Sequence, residues 1–442
     1  MNSYPESIYK ESHIDWIGQV PDSWNFFRSK FIFGNKSIKK NDDESLLSVT
    51  QSDGVVLRET SDLRVWNPGE DVSMYKLIES GDFVISLRSF EGGIELSNIR
   101  GLVSPAYTVL NSIKKIDNRF FRLLMKSHQF IIELNKNVTG IRQGKTISWD
   151  DFSEIYLPFP PLHEQILISK FLDKKTSQID SLIEKTQRKI LLLKEQRTSL
   201  INQCVTKGLD PNVEIKDSGI EWIGEIPKHW DVKQIKHIKS DEKYSLVDGP
   251  FGSDLKSEHF VDDGTVIVIE SGFVTKGSFI QSRPFKKISN NHFEKVKRSQ
   301  CKTGDIIIAK IGEYYGMSSV LPELNSDCVI SGNSCKLTVS KFINRDYVHQ
   351  TLLWLRSTGV IQREVNQTGQ PFISLGVINN LNILVPPKNE QDKIMKYLED
   401  RFTNIDDLSF KETQRINLLK EYRQSLISNV VTGKVRVTED MI

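Results

Sequence analysis

Four glycine-flanked stretches gather side chains of the kinds that read nucleic acid. Arg88-Ser89-Phe90-Glu91-Gly92-Gly93 and Arg142-Gln143-Gly144-Lys145 lie in the first half of the 442-residue chain. Lys310-Ile311-Gly312-Glu313-Tyr314-Tyr315-Gly316 and Gln367-Thr368-Gly369-Gln370 lie in the second. An arginine fork matches guanine, an amide matches adenine, and a lysine neutralises a phosphate. The candidate contact residues are therefore Arg88, Ser89, Phe90, Arg142, Gln143, Lys145, Lys310, Tyr314, Tyr315 and Gln370. Taken singly, each could equally belong to an ordinary solvated turn. Phe251 and Gly252 read instead as a structural turn over an apolar plug, and Trp16, Trp24, Trp222 and Trp230 as core.

Other chemistries find little support. Thr139 to Thr146 resembles a phosphate-binding loop, but Thr139 stands where the first glycine belongs. The segment also follows a helical stretch where a strand is required, which argues against ATP. No Asn-Pro-Pro-Tyr segment is present, and the eight histidines form no His-Glu-x-x-His pair, so neither a methyltransferase pocket nor a metal site is expected. Cys204, Cys301, Cys328 and Cys335 have no Cys-x-x-Cys spacing and read as reduced thiols. The net charge of +2 confines any DNA site to a local patch. With 38% hydrophobic and 26% charged residues, no apolar run of membrane-spanning length and no signal-peptide pattern, a cytoplasmic protein is expected.

The elements that position these loops are written twice. Ile14-Asp15-Trp16-Ile17-Gly18-Gln19-Val20-Pro21-Asp22-Ser23-Trp24 recurs as Ile220-Glu221-Trp222-Ile223-Gly224-Glu225-Ile226-Pro227-Lys228-His229-Trp230, a shift of 206 residues. Pro160-Pro161-Leu162-His163-Glu164-Gln165 recurs as Pro386-Pro387-Lys388-Asn389-Glu390-Gln391, shifted by 226, and agreement continues without a gap to Ser199-Leu200-Ile201 and Ser425-Leu426-Ile427. Between these blocks, residues 26–148 and 231–374 show little similarity, so two like frames hold two unlike inserts. Runs such as Phe83 to Leu87, Val266 to Ile269 and Asp305 to Ala309 predict strand-rich inserts, each with one shorter helical stretch, 118–135 and 344–364.

After each Pro-Pro a long helix is predicted. Its first stripe runs through Ile179, Leu182, Ile190, Leu193 and Leu200, with Thr186 and Arg197 in the gaps. The second repeats it through Ile405, Leu408, Ile416, Leu419 and Leu426, with Glu412 and Arg423. Each helix either pairs with the other or packs on its own domain; stripes outlasting a usual globular helix favour the pair, with polar positions fixing register. The expected fold is α+β: two strand-rich mixed domains separated by two long antiparallel helices in a coiled-coil pair, an internal duplication with pseudo-twofold symmetry. The expected segments are 1–157, 158–208, 209–383 and 384–442.

The ordered double set of motifs resembles the specificity subunits of type I restriction-modification systems. The resemblance is carried by Trp16-Ile17-Gly18, Pro21-x-x-Trp24, Ser104-Pro105-Ala106-Tyr107, Ile147-Ser148-Trp149 and Pro160-Pro161-x-x-Glu164-Gln165 with its repeat at Pro386. It implies two target-recognition domains, each reading half of a split asymmetric site in double-stranded DNA, and no catalytic site in this chain. It further implies that segments 149–205 and 373–430 are spacers that dock two methyltransferase subunits, joined by restriction and translocase subunits. S-adenosylmethionine, ATP and Mg would then belong to those partners. Docking and helix pairing would fall to Glu164, Gln165, Ile179, Leu182, Leu193, Leu200, Glu390, Gln391, Ile405, Leu408, Leu419 and Leu426. Because Asn389 to Asp392 is more polar than His163 to Ile166, the two docking sites are expected to differ in strength. The competing readings are a self-contained DNA-modifying enzyme, marked by cofactor binding to the isolated chain, and a scaffold without DNA affinity.

Overall fold

A computed structural model describes residues 9–39, 43–51, 53–60, 72–136, 147–365 and 370–442. The helices that organise it are α1 (Asn118–Met125), α2 (Leu162–Lys207), α3 (Arg345–Ser357) and α4 (Lys388–Val431). The chain divides into two compact units, residues 1–188 with 412–442, and residues 189–411. The division cuts through both long helices, so the segments expected as separate spacers, 158–208 and 384–442, are each shared between units. Within each unit, part of each helix joins the buried core, Ile168, Phe171 and Leu172 in the first and Ile394, Leu398 and Phe402 in the second. Among the described residues no helix is long and apolar enough to cross a membrane.

In the first unit, Phe33–Lys36, Thr108–Ser112, Phe83–Ile85 and Glu95–Leu96 form an antiparallel sheet in that spatial order. Phe33 packs edge-to-face on Phe83 and Phe121 at 5.4 Å each, in a core shared with Phe120, Phe152, Ile168, Phe171 and Leu172. The second unit repeats a four-stranded sheet with Leu246–Asp248, Ser334–Leu337, Ile306–Ala309 and Ser318–Val320. It adds another four-stranded sheet, Lys286–Ile288, Val266–Ile269, Cys328–Ile330 and Gln300–Cys301, containing one parallel pair. In both units a frame strand before the insert pairs antiparallel with the strand that closes it: Asn25–Arg28 with Tyr156–Phe159, and Asp231–Gln234 with Asn382–Val385. The four repeated tryptophans lie where core was expected, three buried and Trp222 packed partly exposed on its core.

The repeated Glu-Gln pair explains the frame. Gln165 is fully buried; its amide oxygen accepts from the Asp117 backbone N–H at 2.9 Å and its amide nitrogen donates to the Pro160 carbonyl at 2.8 Å. Gln391 does the same with the Asn344 N–H at 2.8 Å and the Pro386 carbonyl at 2.7 Å. Asp117 and Asn344 are the N-caps of α1 and α3, each accepting two backbone N–H groups of the first turn. Burial of Asp117 opposes its ionisation, but Arg119, the cap bonds and the Ser169 hydroxyl outweigh it and hold the carboxyl below its usual range. One glutamine therefore ties a Pro-Pro turn to the start of an insert helix, twice. Glu164 accepts from the Trp24 indole at 2.8 Å and from Ser23 at 3.1 Å, while Glu390 bonds His229 at 2.7 Å. The docking role expected for Gln165 and Gln391 is thereby corrected, since neither presents an atom to a partner.

Each long helix ends against a frame tryptophan of its unit. Gly433 (φ +78°) lies so close that a Cβ there would sit 2.5 Å from Pro21, with Trp24 beside it. Gly208 (φ +73°) would place one 3.0 Å from Glu390 and 3.1 Å from Trp230. Left-handed backbone and lack of room both select glycine as the helix stop.

Replacing Gln165 by leucine should strand the Asp117 N–H and the Pro160 carbonyl, and Gln391→Leu the Asn344 N–H and the Pro386 carbonyl. Each should cost about 2–6 kcal/mol in urea unfolding, from two buried polar groups at about 1–3 kcal/mol each. A shift below roughly 0.5 kcal/mol in either would show that the clamp is not structural.

Candidate nucleic-acid interface and helix seam

In the second unit the first candidate loop, 310–316, lies against 370–373, of which Gln370 is the one described residue of the second candidate loop. The Ile306–Ala309 strand runs into 310–316, which turns back through Gly312 (φ +83°) and Gly316 (φ +77°) to Ser318–Val320. The Gly312 N–H donates to the Pro371 carbonyl at 3.1 Å, and the Ile373 N–H donates to the Lys310 carbonyl at 2.9 Å. Ile311 and Phe372 form an antiparallel bridge. From α3, the Arg356 guanidinium donates to the carbonyls of Tyr315 (2.8 Å) and Glu313 (2.9 Å), fixing the turn. Tyr314 is 45% exposed, and Gln370 is also exposed.

Lys310 and Tyr315 take other roles. The Lys310 side chain is 5% exposed; its ammonium bonds Asp248 at 2.5 Å and lies 4.6 Å from the centre of the Phe372 ring. A buried charge needs such a partner, so the expected phosphate contact is corrected to an internal ion pair. Tyr315 is buried in the unit's core. Phe251, expected as a core plug, is 67% exposed with the Arg298 guanidinium 5.5 Å from its ring centre. The reason is a backbone crossing: Gly249 and Gly332 pack so closely against 331 and 250 that neither tolerates a Cβ, which leaves Phe251 outside.

In the first unit, Arg88 is exposed, but Ser89 is buried, its hydroxyl accepting from the Ser86 N–H at 2.9 Å. Phe90 packs partly buried on the core, and Asn135 donates to its carbonyl at 2.6 Å. Gln51, which the sequence did not single out, donates to the Arg88 carbonyl at 2.9 Å and so braces the turn. Ser89 and Phe90 thus shape the loop that presents Arg88. Arg142, Gln143, Lys145 and the neighbouring phosphate-loop lookalike lie outside the described residues, as do 367–369. Phe372 and Phe251 were missed as candidates; the available signal was an aromatic residue directly after proline in a glycine-flanked turn.

The helix seam has a stricter period than the first stripe suggested. On α2 it runs through Leu172, Thr176, Ile179, Ile183 and Thr186 in the first unit, and Ile190, Leu193, Arg197, Leu200 and Cys204 in the second. On α4 it runs through Leu398, Phe402, Ile405 and Ser409, then Glu412, Ile416, Leu419, Arg423, Leu426 and Val430. These steps alternate four and three, the 3.5-residue repeat of a left-handed coiled coil. Leu182 and Leu408, one residue off that path, are 40% and 41% exposed, so their expected place in the pairing stripe is corrected.

Within each unit the helix segments run antiparallel. In the first, Asp180 pairs with Arg423 at 2.9 and 3.2 Å, and Ile179 shares a core with Leu426, Ile427 and Val430. In the second, Arg197 pairs with Asp406 at 2.7 Å, its guanidinium 3.8 Å from the Phe402 ring centre. The two ion pairs are equivalents under the 226-residue shift. Further exposed apolar residues lie outside the seam: Leu418 and Tyr422 in the first unit, Leu191, Leu192 and Phe410 in the second.

The type I restriction modification DNA specificity domain matches residues 74–192 and 252–418 of this chain. The chain belongs to that family. It is 23% identical over 458 residues to the type I restriction enzyme MjaVIII specificity subunit of Methanocaldococcus jannaschii, covering 99% of this chain and 98% of that protein. It is 22% identical over 337 residues to the EcoBI specificity subunit of Escherichia coli, covering 73% of this chain and 66% of that one. The fold resembles a chain solved in work on complex assembly and conformational transition of the type I restriction-modification system, with a TM-score of 0.72 at 13% identity over 94% of this chain and 99% of that chain. It also resembles the HsdS subunit of Thermoanaerobacter tengcongensis, with a TM-score of 0.55 at 14% identity over 94% of this chain and 98% of that subunit. The α+β fold with two mixed units and two long helices, expected from the duplicated frame, is thereby established for this specificity-family chain.

Lys310→Met should leave Asp248 without a counter-charge and lower stability by on the order of 2–3 kcal/mol. Adding Asp248→Asn should restore part of that loss, whereas Tyr314→Ala and Gln370→Ala should leave thermal unfolding nearly unchanged. Equal destabilisation by Lys310→Met and Tyr314→Ala would contradict the assignment of Lys310 to an internal pair.

Proposed function

We propose that this chain is the non-catalytic DNA-reading subunit of a type I restriction-modification complex. Each strand-rich unit reads one half of a bipartite, asymmetric site. The observation that carries this reading is one glutamine-clamped frame, used twice, holding loops of different sequence. A shared clamp suits a common task of positioning, and unlike loops suit two different base sequences. In the second unit Tyr314 and Gln370 are the readers, with Phe372 beside them; in the first, Arg88 reads, joined by Arg142, Gln143 and Lys145.

The long helices set the unread spacer. α2 has 46 residues, roughly 69 Å at about 1.5 Å per residue, and it is continuous. The exposed apolar residues on the outer helix faces, Leu182, Leu418 and Tyr422 in one unit and Leu191, Leu192, Leu408 and Phe410 in the other, suit docking of methyltransferase subunits. Restriction and translocase subunits complete the assembly in the cytoplasm, and S-adenosylmethionine, ATP and Mg are bound by the partners.

A methylation map of cells carrying the chain with its methyltransferase partner should show one asymmetric site interrupted by an unread spacer; an uninterrupted or palindromic site would overturn the reading. Tyr314→Ala or Gln370→Ala should cost about 1–3 kcal/mol of specific binding and relax one half-site only, and Arg88→Ala should relax the other. Removing one heptad from both helices, 183–189 and 409–415, keeps the antiparallel seam in phase. That deletion should shorten the spacer between half-sites, and an unchanged spacer in a folded variant would rule out the helices as its measure.

A further inference from the structure

Cys301 and Cys328 stand directly opposite each other where Gln300–Cys301 pairs antiparallel with Cys328–Ile330. Opposed residues in such a pair have Cα atoms about 4.5–5.5 Å apart, within the span that a disulfide bridges. The Cys328 thiol donates to the Ser326 carbonyl at 3.2 Å, with the Cys301 thiol beside it. Both also line a cavity of about 190 Å³ with Gln300, Lys302, Ser326 and Asp327, which is space for several small molecules the size of water. Cys204 and Cys335 are buried without a cysteine neighbour of this kind.

We propose that Cys301 and Cys328 form a dithiol site that a small peroxide oxidises to a cross-strand disulfide. Cys328 is the attacking group. The neighbouring Cys301 thiol holds its thiol below the usual range, against the opposing effects of burial and of Asp327. Burial raises the thiols of Cys301 and Cys335, and pushes that of Cys204 up to about 11. The Cys328 thiolate attacks one peroxide oxygen, the O–O bond breaks, and the leaving hydroxide takes a proton to become water, which leaves a sulfenic acid. The Cys301 sulfur then attacks the Cys328 sulfur, the S–O bond breaks, and a second water leaves with the Cys301 proton. Two thiols and one peroxide yield one disulfide and two waters.

The bond closes a loop over 302–327, which contains the Ile306–Ala309 and Ser318–Val320 strands and the turn that presents Tyr314. Oxidation therefore joins the two ends of the segment that carries that turn and restricts its opening. The disulfide chemistry is independent of the DNA-reading proposal; only its consequence for binding rests on it.

The full-length reduced chain, treated with near-stoichiometric hydrogen peroxide, alkylated and digested without reductant, tests the site. A linked Cys301–Cys328 peptide, two hydrogens lighter than its reduced parts, is expected. Cys328 should lose its alkylation at least about tenfold faster than Cys204 or Cys335, as thiolate character dictates. The rate should rise with pH and level off below the ordinary thiol value of about 8.5. Cys301→Ser should halt the reaction at a Cys328 sulfenic acid captured by dimedone. Absence of the linked peptide from the wild-type chain, or oxidation of Cys328 no faster than that of Cys335, would overturn the proposal without recourse to any variant.

Discussion

The architecture depends on one amide at the start of each long helix. A glutamine is required there because both ends of the group are used: the oxygen takes a backbone N–H from an insert helix cap, and the nitrogen gives to a proline carbonyl. A glutamate could not donate, and its charge would be buried without a counter-ion at a site that is at most 1% exposed. The proline turn sets where the long helix begins, and the capped helix sets where the insert sits. Through this clamp, insert position and helix position become one constraint, applied identically in both units although the sheets it supports differ.

The helices then divide their work between apolar and polar positions. Buried isoleucines, leucines and phenylalanine on the 3.5-residue path supply the burial that two long isolated helices would lack. Thr186 and Glu412, equivalent under the duplication, are buried polar members of the same path, a costly choice if stability were the sole requirement. The Asp180–Arg423 and Arg197–Asp406 pairs are largely exposed, so each contributes little energy. Their value lies in register, because a slip of either helix by one heptad would part both pairs and bring unlike seam residues together.

Much of this was legible in the sequence because duplication doubles the signal. The frame, the long helices, the tryptophan core and the strand-rich inserts follow from repeated motifs and hydrophobic period. What failed did so for local reasons. Leu182 looked like a stripe residue because steps of three and four are both helical, and only strict alternation distinguishes it from Ile183. Gln165 and Gln391 looked like surface polar residues because their partners are backbone groups 48 and 47 positions away, which no side-chain pattern records. Lys310 looked like a phosphate ligand until Asp248, 62 positions earlier in the chain, came to lie against it. Phe251 looked apolar enough to bury, yet a glycine crossing forces it out.

The fate of Lys310 bears on how the second unit would read DNA. Pairing its charge internally removes a cation from the loop surface and leaves a neutral donor-acceptor group, Gln370, beside two partly exposed rings, Tyr314 and Phe372. Neutral groups of this kind discriminate by hydrogen-bond pattern and by contact with base edges, and add little to the salt-dependent attraction that any basic surface has for phosphate. The near-balanced net charge of +2 agrees with such a division, because a chain that relied on general attraction would carry a larger excess. The buried ion pair then acts as an anchor: it fixes the strand end from which the turn departs, and Arg356 fixes the turn itself through two carbonyls. A reading group held by backbone contacts can change its side chain without disturbing its support, which is the property that two unlike inserts on one frame require.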